Sequence, residues 1–199
     1  GLNRLKKTKK FIYLISPTKI KNKKFYSDLV AVFKSKKISF FQLRLKKENP
    51  KKIINIGKKI KILCKKFNVK LIINDNPFLA KKINADGCHV GQLDTTVIKA
   101  RKILKNKIIG VTCHNSKKLI KKAINDKADY IALGAFYSTK TKKVKHRAKI
   151  KLIKEAKKIT KIPIVAVGGI NLSNYKKLLL NKANFLAISS YIWNNKKYK

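Results

Sequence analysis

VKLIINDNPFLAKKINADGCHV, residues 69–90, is the stretch that decides the fold. VKLIIN (69–74) is a short apolar run rich in β-branched residues and reads as a buried strand. A short helix over 76–82 follows, and GCHV (87–90) returns to a strand. A strand, a helix and a strand in so short a span is the unit from which α/β architectures are built. It also raises a question, because Asp75 stands directly behind the apolar run, where a buried carboxylate would be costly without a partner.

Working outward, the same unit recurs along the chain. Strands are predicted at FIYLI (11–15), ISFFQLR (38–44), KIIGV (107–111), DYIAL (129–133), PIVAV (163–167) and FLAIS (185–189). Between them apolar residues return every three or four positions in lysine-rich segments such as NPKKIINIGKKIKILCKKF (49–67) and SKKLIKKAIND (116–126). Eight strands alternating with helices predict a single (β/α)8 TIM barrel of near-minimal size. An open doubly wound sheet is the alternative, but no Gly-x-Gly-x-x-Gly follows the first strand. Residues 1–10 read as a basic N-terminal segment and 11–199 as the barrel domain, with no linker between.

Composition narrows the function. The 199 residues are 44% hydrophobic, enough for one sizeable core, yet carry a formal charge of +44. Such a charge fits nucleic acid or an anionic membrane. Only Arg4, Arg44, Arg101 and Arg147 among the 52 basic residues are arginine, the side chain that forks onto phosphates and guanine edges. The lysines are spread over every predicted helix, so most of the charge reads as solvated faces. No specific nucleic-acid partner and no membrane partner are expected. Cys64, Cys88 and Cys113 are odd in number and form no C-x-x-C pair, which fits a reducing cytoplasm. The apolar run FIYLI is too short for a signal peptide or a membrane span. No methionine occurs, so residues upstream of Gly1 are expected.

In a barrel, reacting groups belong at the C-terminal ends of the strands. Gln42, Arg44 and Lys46 alternate with Phe41, Leu43 and Leu45, so an amide and two cations should enter the mouth while the apolar set faces the helices. Asp75 and Asp94 follow neighbouring strands and suit Mg²⁺, which takes one or two carboxylates plus substrate oxygens. Both are also placed to cap the helices that follow. Thr112 and His114 end strand 5. Thr139, Lys140, Thr141 and Lys142 lie in a loop after strand 6, and Gly168 and Gly169 close strand 7. Ser189 and Ser190 open the final helix, where free N–H groups suit an anion. The Cys88–His89 and Cys113–His114 pairs each offer at most one inward ligand, short of a zinc site, and His89 reads as a packed, hydrogen-bonded histidine.

Taken in order, QLRLK (42–46), IINDNPFLA (72–80), ADGCHVGQLD (85–94), IGVTCH (109–114), ADYIALGAFYSTKTK (128–142), VAVGGI (165–170) and AISSYIW (187–193) resemble the thiamine phosphate synthase family in its alphaproteobacterial form. The resemblance implies a transferase that condenses a hydroxymethylpyrimidine diphosphate with a thiazole phosphate, with Mg²⁺ as cofactor. It implies that Gln42, Leu43, Arg44, Leu45, Lys46, Asn74, Thr112 and Lys142 hold the pyrimidine diphosphate. Thr139, Lys140, Thr141, Gly169, Ser189 and Ser190 would hold the thiazole phosphate, and Asp75 and Asp94 the metal. Arg44, Lys46 and Lys142 would stabilise the leaving diphosphate. Thr112 stands where the family has serine, and Ser138 replaces a common proline. The loop 138–147 is expected to act as a lid. The alternatives are a thiazole tautomerase-like paralogue, which needs no such cation set, and a basic nucleic-acid-associated protein on a retired barrel.

Overall fold

The computed structural model describes residues 10–93, 95–137 and 145–193. Eight parallel strands close into a barrel in sequence order: β1 (Ile12–Ile15), β2 (Ile38–Leu43), β3 (Lys70–Asn74), β4 (Gly87–Val90), β5 (Ile108–His114), β6 (Tyr130–Leu133), β7 (Ile164–Ala166) and β8 (Phe185–Ile188). The helices are α1 (Lys24–Phe33), α2 (Pro50–Lys66), α3 (Pro77–Ile83), α4 (Val97–Leu104), α5 (Lys117–Asn125), α6 (Lys151–Ile159), α7 (Lys176–Leu180) and α8 (Ser190–Trp193). The expected barrel is therefore present, and the open sheet is excluded by the β1–β8 pairing. Strand β5 runs on to His114, three residues past its predicted end. Among the described residues, no helix is long and apolar enough to cross a membrane.

Strand alternation sorts the side chains into two cores. Leu14, Phe41, Leu43, Leu71, Ile73, Cys88, Val90, Ile109, Val111, Cys113 and Ile131 face outward and pack under the helices. Tyr13, Tyr130, Ala132, Val165 and Ala187 fill the barrel interior, with Phe40, Ile108 and Phe185 against them. Burial removes all three cysteines from solvent.

Two of the scarce acidic residues and one asparagine serve the bottom of the barrel. Asp86 donates its N–H to the Leu71 carbonyl (2.9 Å) and accepts the Leu71 N–H on its carboxylate (2.7 Å). Asp129 does the same to Ile109 (2.7 and 2.8 Å), and Asn184 to Ile164 (2.9 Å for both). Each therefore stands just ahead of one strand and clamps the adjacent strand at two points. Arg101 braces one clamp, donating to Asp129 Oδ2 (2.6 Å) and to the carbonyls of Lys105, Lys107 and Lys127. These polar groups satisfy strand-edge donors that would otherwise go unpaired near the core. They also leave the opposite rim free for chemistry.

Candidate active site

The mouth is built from strand ends. Strand β2 stops at Leu43, and its register against β3 pairs Gln42 with Ile72 and Leu43 with Ile73. The alternation predicted for this segment holds: Phe41 and Leu43 are buried under the helices, while Gln42 turns inward and donates from Nε2 to the Tyr13 hydroxyl (2.9 Å). The next residues are set by Ser16, a buried serine after β1. Ser16 takes the Arg44 N–H on its hydroxyl oxygen (2.9 Å) and donates its own N–H to the Gln42 carbonyl (2.9 Å). Lys46 is exposed and donates its N–H to the Thr18 carbonyl (3.1 Å). Leu43 and Leu45 pack with the outer core, so only their backbone can face a ligand.

Asp75 is exposed at this rim, not buried. Its φ of 65° lies in the left-handed region, a conformation Asp tolerates better than most residues, and its N–H donates to the His89 carbonyl (2.7 Å). The expected capping role belongs elsewhere: Asn76 caps α3, accepting the N–H groups of Phe78 (3.0 Å) and Leu79 (3.2 Å). Thr96 caps α4, accepting the Lys99 N–H (3.1 Å). In both cases the better-placed cap is the residue immediately before the helix, which has the extended backbone that capping needs. Asp94 itself lies outside the described residues, as do Ser138, Thr139, Lys140, Thr141 and Lys142. Residues 138–144 of the expected lid lie there too, with half of the expected thiazole-phosphate contacts.

Inside the mouth a polar chain crosses the barrel. Gln42 Nε2 reaches the Tyr13 hydroxyl, which lies 2.6 Å from the Tyr130 hydroxyl. Tyr130 is 2.7 Å from His89 Nδ1, and His89 Nε2 is 2.7 Å from Thr112 Oγ1. Gln92 then fixes the Thr112 backbone, donating to its carbonyl (2.6 Å). Burial, helped by the Arg44 charge, holds the His89 imidazole down at about 4, so it is neutral at physiological pH. Burial raises both tyrosines well above their ordinary range, so they stay protonated. His89 is thus the packed histidine expected, while its neighbour Cys88 points into the outer core. Among the described residues no cluster of three His, Cys, Asp or Glu could hold a metal.

Tyr13, Tyr130, Ser16 and Gln92 escaped the sequence reading. The two tyrosines sit at inward positions of strands that otherwise read as plain hydrophobic runs, and that polar atom in an apolar interior was the available signal. Gly110 makes room for them: a Cβ there would meet the Tyr130 ring at 1.9–2.3 Å.

The far side of the rim is shaped by glycine. Gly168 (φ 104°) and Gly169 (φ 60°) follow β7, and a Cβ on Gly168 would lie 2.4 Å from that of Ala135. Phe136 and Tyr137 donate their N–H groups to Val167 and Gly168, so the segment after β6 is tied to this turn. Asn174 donates to the Gly169 carbonyl (2.9 Å). Ser189 precedes α8 and accepts the N–H groups of Ile192 and Trp193 on its carbonyl. Trp193 anchors this short helix by donating to the Ile15 carbonyl (2.6 Å). Gly169, Ser189 and the backbone of Ser190 thus follow adjacent strands, β7 and β8, as expected.

Comparison with known proteins points one way. Residues 12–192 match the family described as thiamine monophosphate synthase. The chain is 72% identical over 191 residues to a thiamine-phosphate synthase of Pelagibacter ubique, covering 96% of this chain and 92% of that protein. It is 44% identical to one from Nitrosomonas eutropha, over 78% of this chain and 74% of that protein. Among solved structures, thiamine phosphate pyrophosphorylase from Pyrococcus furiosus matches with a TM-score of 0.85 at 23% identity, covering 96% of this chain and 91% of that one. At that identity the structural match speaks to the fold.

Proposed function

The chain belongs to the thiamine monophosphate synthase family, its reaction is that of a thiamine-phosphate synthase, and we propose how the mouth of its barrel carries that reaction out. A pyrimidine-methyl diphosphate and a thiazole phosphate bind side by side. The thiazole nitrogen attacks the pyrimidine methylene carbon, the carbon–oxygen bond to diphosphate breaks, and thiamine phosphate and diphosphate leave. The nucleophile comes from the substrate, so the protein's task is to position both partners and stabilise the departing negative charge.

The observation that supports this reading is the convergence of opposite charges at two neighbouring strand ends. Arg44, its N–H held by Ser16, follows β2, and the exposed Asp75, its N–H on the His89 carbonyl, follows the adjacent β3. Arg44 and Lys46 would draw in the diphosphate. Asn74, half-buried at the end of β3, would donate to it. Thr112 would take the pyrimidine ring, while the glycine turn at Gly168–Gly169 and the Ser189–Ser190 backbone would receive the thiazole phosphate. Lys142, with Thr139 to Thr141, would complete the enclosure.

Asp75 is a hard oxygen donor exposed at the strand end, and carboxylate oxygen is the ligand Mg²⁺ takes. Asp75 and Asp94 would hold the ion, and it would supply charge neutralisation to the diphosphate. The experiment is direct: purified enzyme with both substrates and Mg²⁺, with product read by mass. Thiamine phosphate and diphosphate should appear together. Consumption of neither substrate, or proton exchange into the thiazole phosphate alone, would overturn the proposal.

A further inference from the structure

The Gln42–Tyr13–Tyr130–His89–Thr112 chain has two self-consistent hydrogen-bond orders, and they present opposite faces to a ligand. In one, Gln42 Nε2–H donates to Tyr13, Tyr13 to Tyr130, and Tyr130 to His89 Nδ1. His89 then carries its proton on Nε2 and donates to Thr112 Oγ1, which leaves the Thr112 hydroxyl proton pointing away from the chain. In the other, the Gln42 amide is turned over, every donor is reversed, and Thr112 spends its proton on His89. A neutral imidazole has one donor and one acceptor, so no mixture of the two orders satisfies every member.

The mouth decides between them. Gln42 presents Nε2 to the Tyr13 hydroxyl, and Arg44, two residues further along the same chain segment, bears its charge on this interior. The Arg44 cation favours the amide oxygen on its own side and Nε2–H on Tyr13. Once that end is set, each buried hydroxyl has one remaining choice, because an unmade hydrogen bond in the interior is costly. We propose that Tyr13, Tyr130 and His89 are positioning residues whose one-way hydrogen-bond order holds His89 as the Nε2–H tautomer and thereby presents Thr112 as a donor to an unprotonated ring nitrogen of the pyrimidine.

This rests on the reading of Thr112 as a pyrimidine-binding residue. The geometry around Thr112 agrees with a fixed role, since its carbonyl is gripped by Gln92 and its side chain by His89. The threonine methyl adds stiffness, limiting rotation of the hydroxyl it shares a carbon with.

The test has two arms. The first uses nitrogen-15 NMR of the histidine-labelled, ligand-free full chain at neutral pH, with His89→Gln assigning the signal among the three histidines. Nδ1 should be the bare nitrogen and Nε2 the protonated one; a ring protonated on Nδ1 would overturn the proposed order. The second arm is a double-mutant cycle on synthase activity. Tyr130→Phe should lower kcat/KM for the pyrimidine diphosphate about tenfold, the effect of roughly one hydrogen bond, with KM for the thiazole phosphate unchanged. Thr112→Val should lose at least as much, Thr112→Ser should retain activity, and Tyr130→Phe in the Thr112→Val background should cost little more. Additive losses, or equal losses toward both substrates, would show that Tyr130 merely supports the barrel and would overturn the proposal. If Tyr130→Phe does not fold, Tyr13→Phe is read in the same cycle. A wild-type enzyme without turnover would overturn the ligand assignment, whereas the NMR arm tests the hydrogen-bond order independently of activity.

Discussion

Asp75 is a residue whose burial the sequence misjudges. Its place behind the apolar run IIN marks a strand end, but the carboxylate is exposed and capping falls to Asn76. Its carboxylate stands at the strand end where the metal is proposed. Asp75→Asn should therefore fold normally and lose most of its turnover at limiting Mg²⁺; full activity there would remove it from the metal site. Gly110 is a second case. Its missing side chain is the space occupied by the Tyr130 ring, so Gly110→Ala forces buried groups apart. The variant should be destabilised by about 2 kcal/mol or more in urea unfolding, and should lose synthase activity along with the ordered His89 signal. The cysteines give a prediction in pH. Burial raises the Cys88 and Cys113 thiols to about 12, and Cys64 further still, so the thiolate that reacts is nearly absent at pH 8. Native protein should resist thiol reagents from pH 7 to 9, reacting only as fast as it unfolds. A rapid titration of one thiol in that range would show an opening that burial does not predict.

At the scale of elements, the barrel is held at one end and open at the other. The three clamps made by Asp86, Asp129 and Asn184 repeat one device: an acceptor just ahead of a strand captures the N–H of its neighbour. Alternation along the strands places Leu71, Ile109 and Ile164 in the outer core, where an unpaired N–H would be desolvated. Asp129→Ala should thus cost about 1–3 kcal/mol. Asp129→Asn keeps an oxygen for Ile109 and loses only the partly exposed pairing with Arg101, so it should cost well under half as much. Equal losses in the two variants would mean that the charge, not the backbone clamp, holds this corner. The predicted strands fell within a few residues of the observed ones because inward and outward positions alternate so regularly. The end of β5 was misjudged because a bulge between Thr112 and His114 carries the pairing past the apolar run.

For the whole molecule, the +44 charge is the dominant field. The described ion pairs join Glu48 to Lys52, Asp129 to Arg101, Glu155 to Lys117 and Asp126 to Lys122, the three lysines among them exposed, and most other described lysines lie at the surface as well. A charge spread this way should bind duplex DNA weakly and without sequence preference, with most of the affinity lost between about 50 mM and about 200 mM salt. A complex that survives the higher salt and prefers one sequence would show a nucleic-acid site that the barrel does not account for. What the sequence determined by itself was the order of strands and helices and the closed barrel, because hydrophobic periodicity is local and parallel strands joined by helices have few ways to close. It also marked Gln42, Arg44, Asn74, Asp75 and Thr112, since polar residues at the ends of apolar runs stand out. Only the tertiary structure decided that Tyr13, Tyr130 and His89 join Gln42 to Thr112, because those residues come from five different strands and their polar atoms meet only when the barrel closes around them.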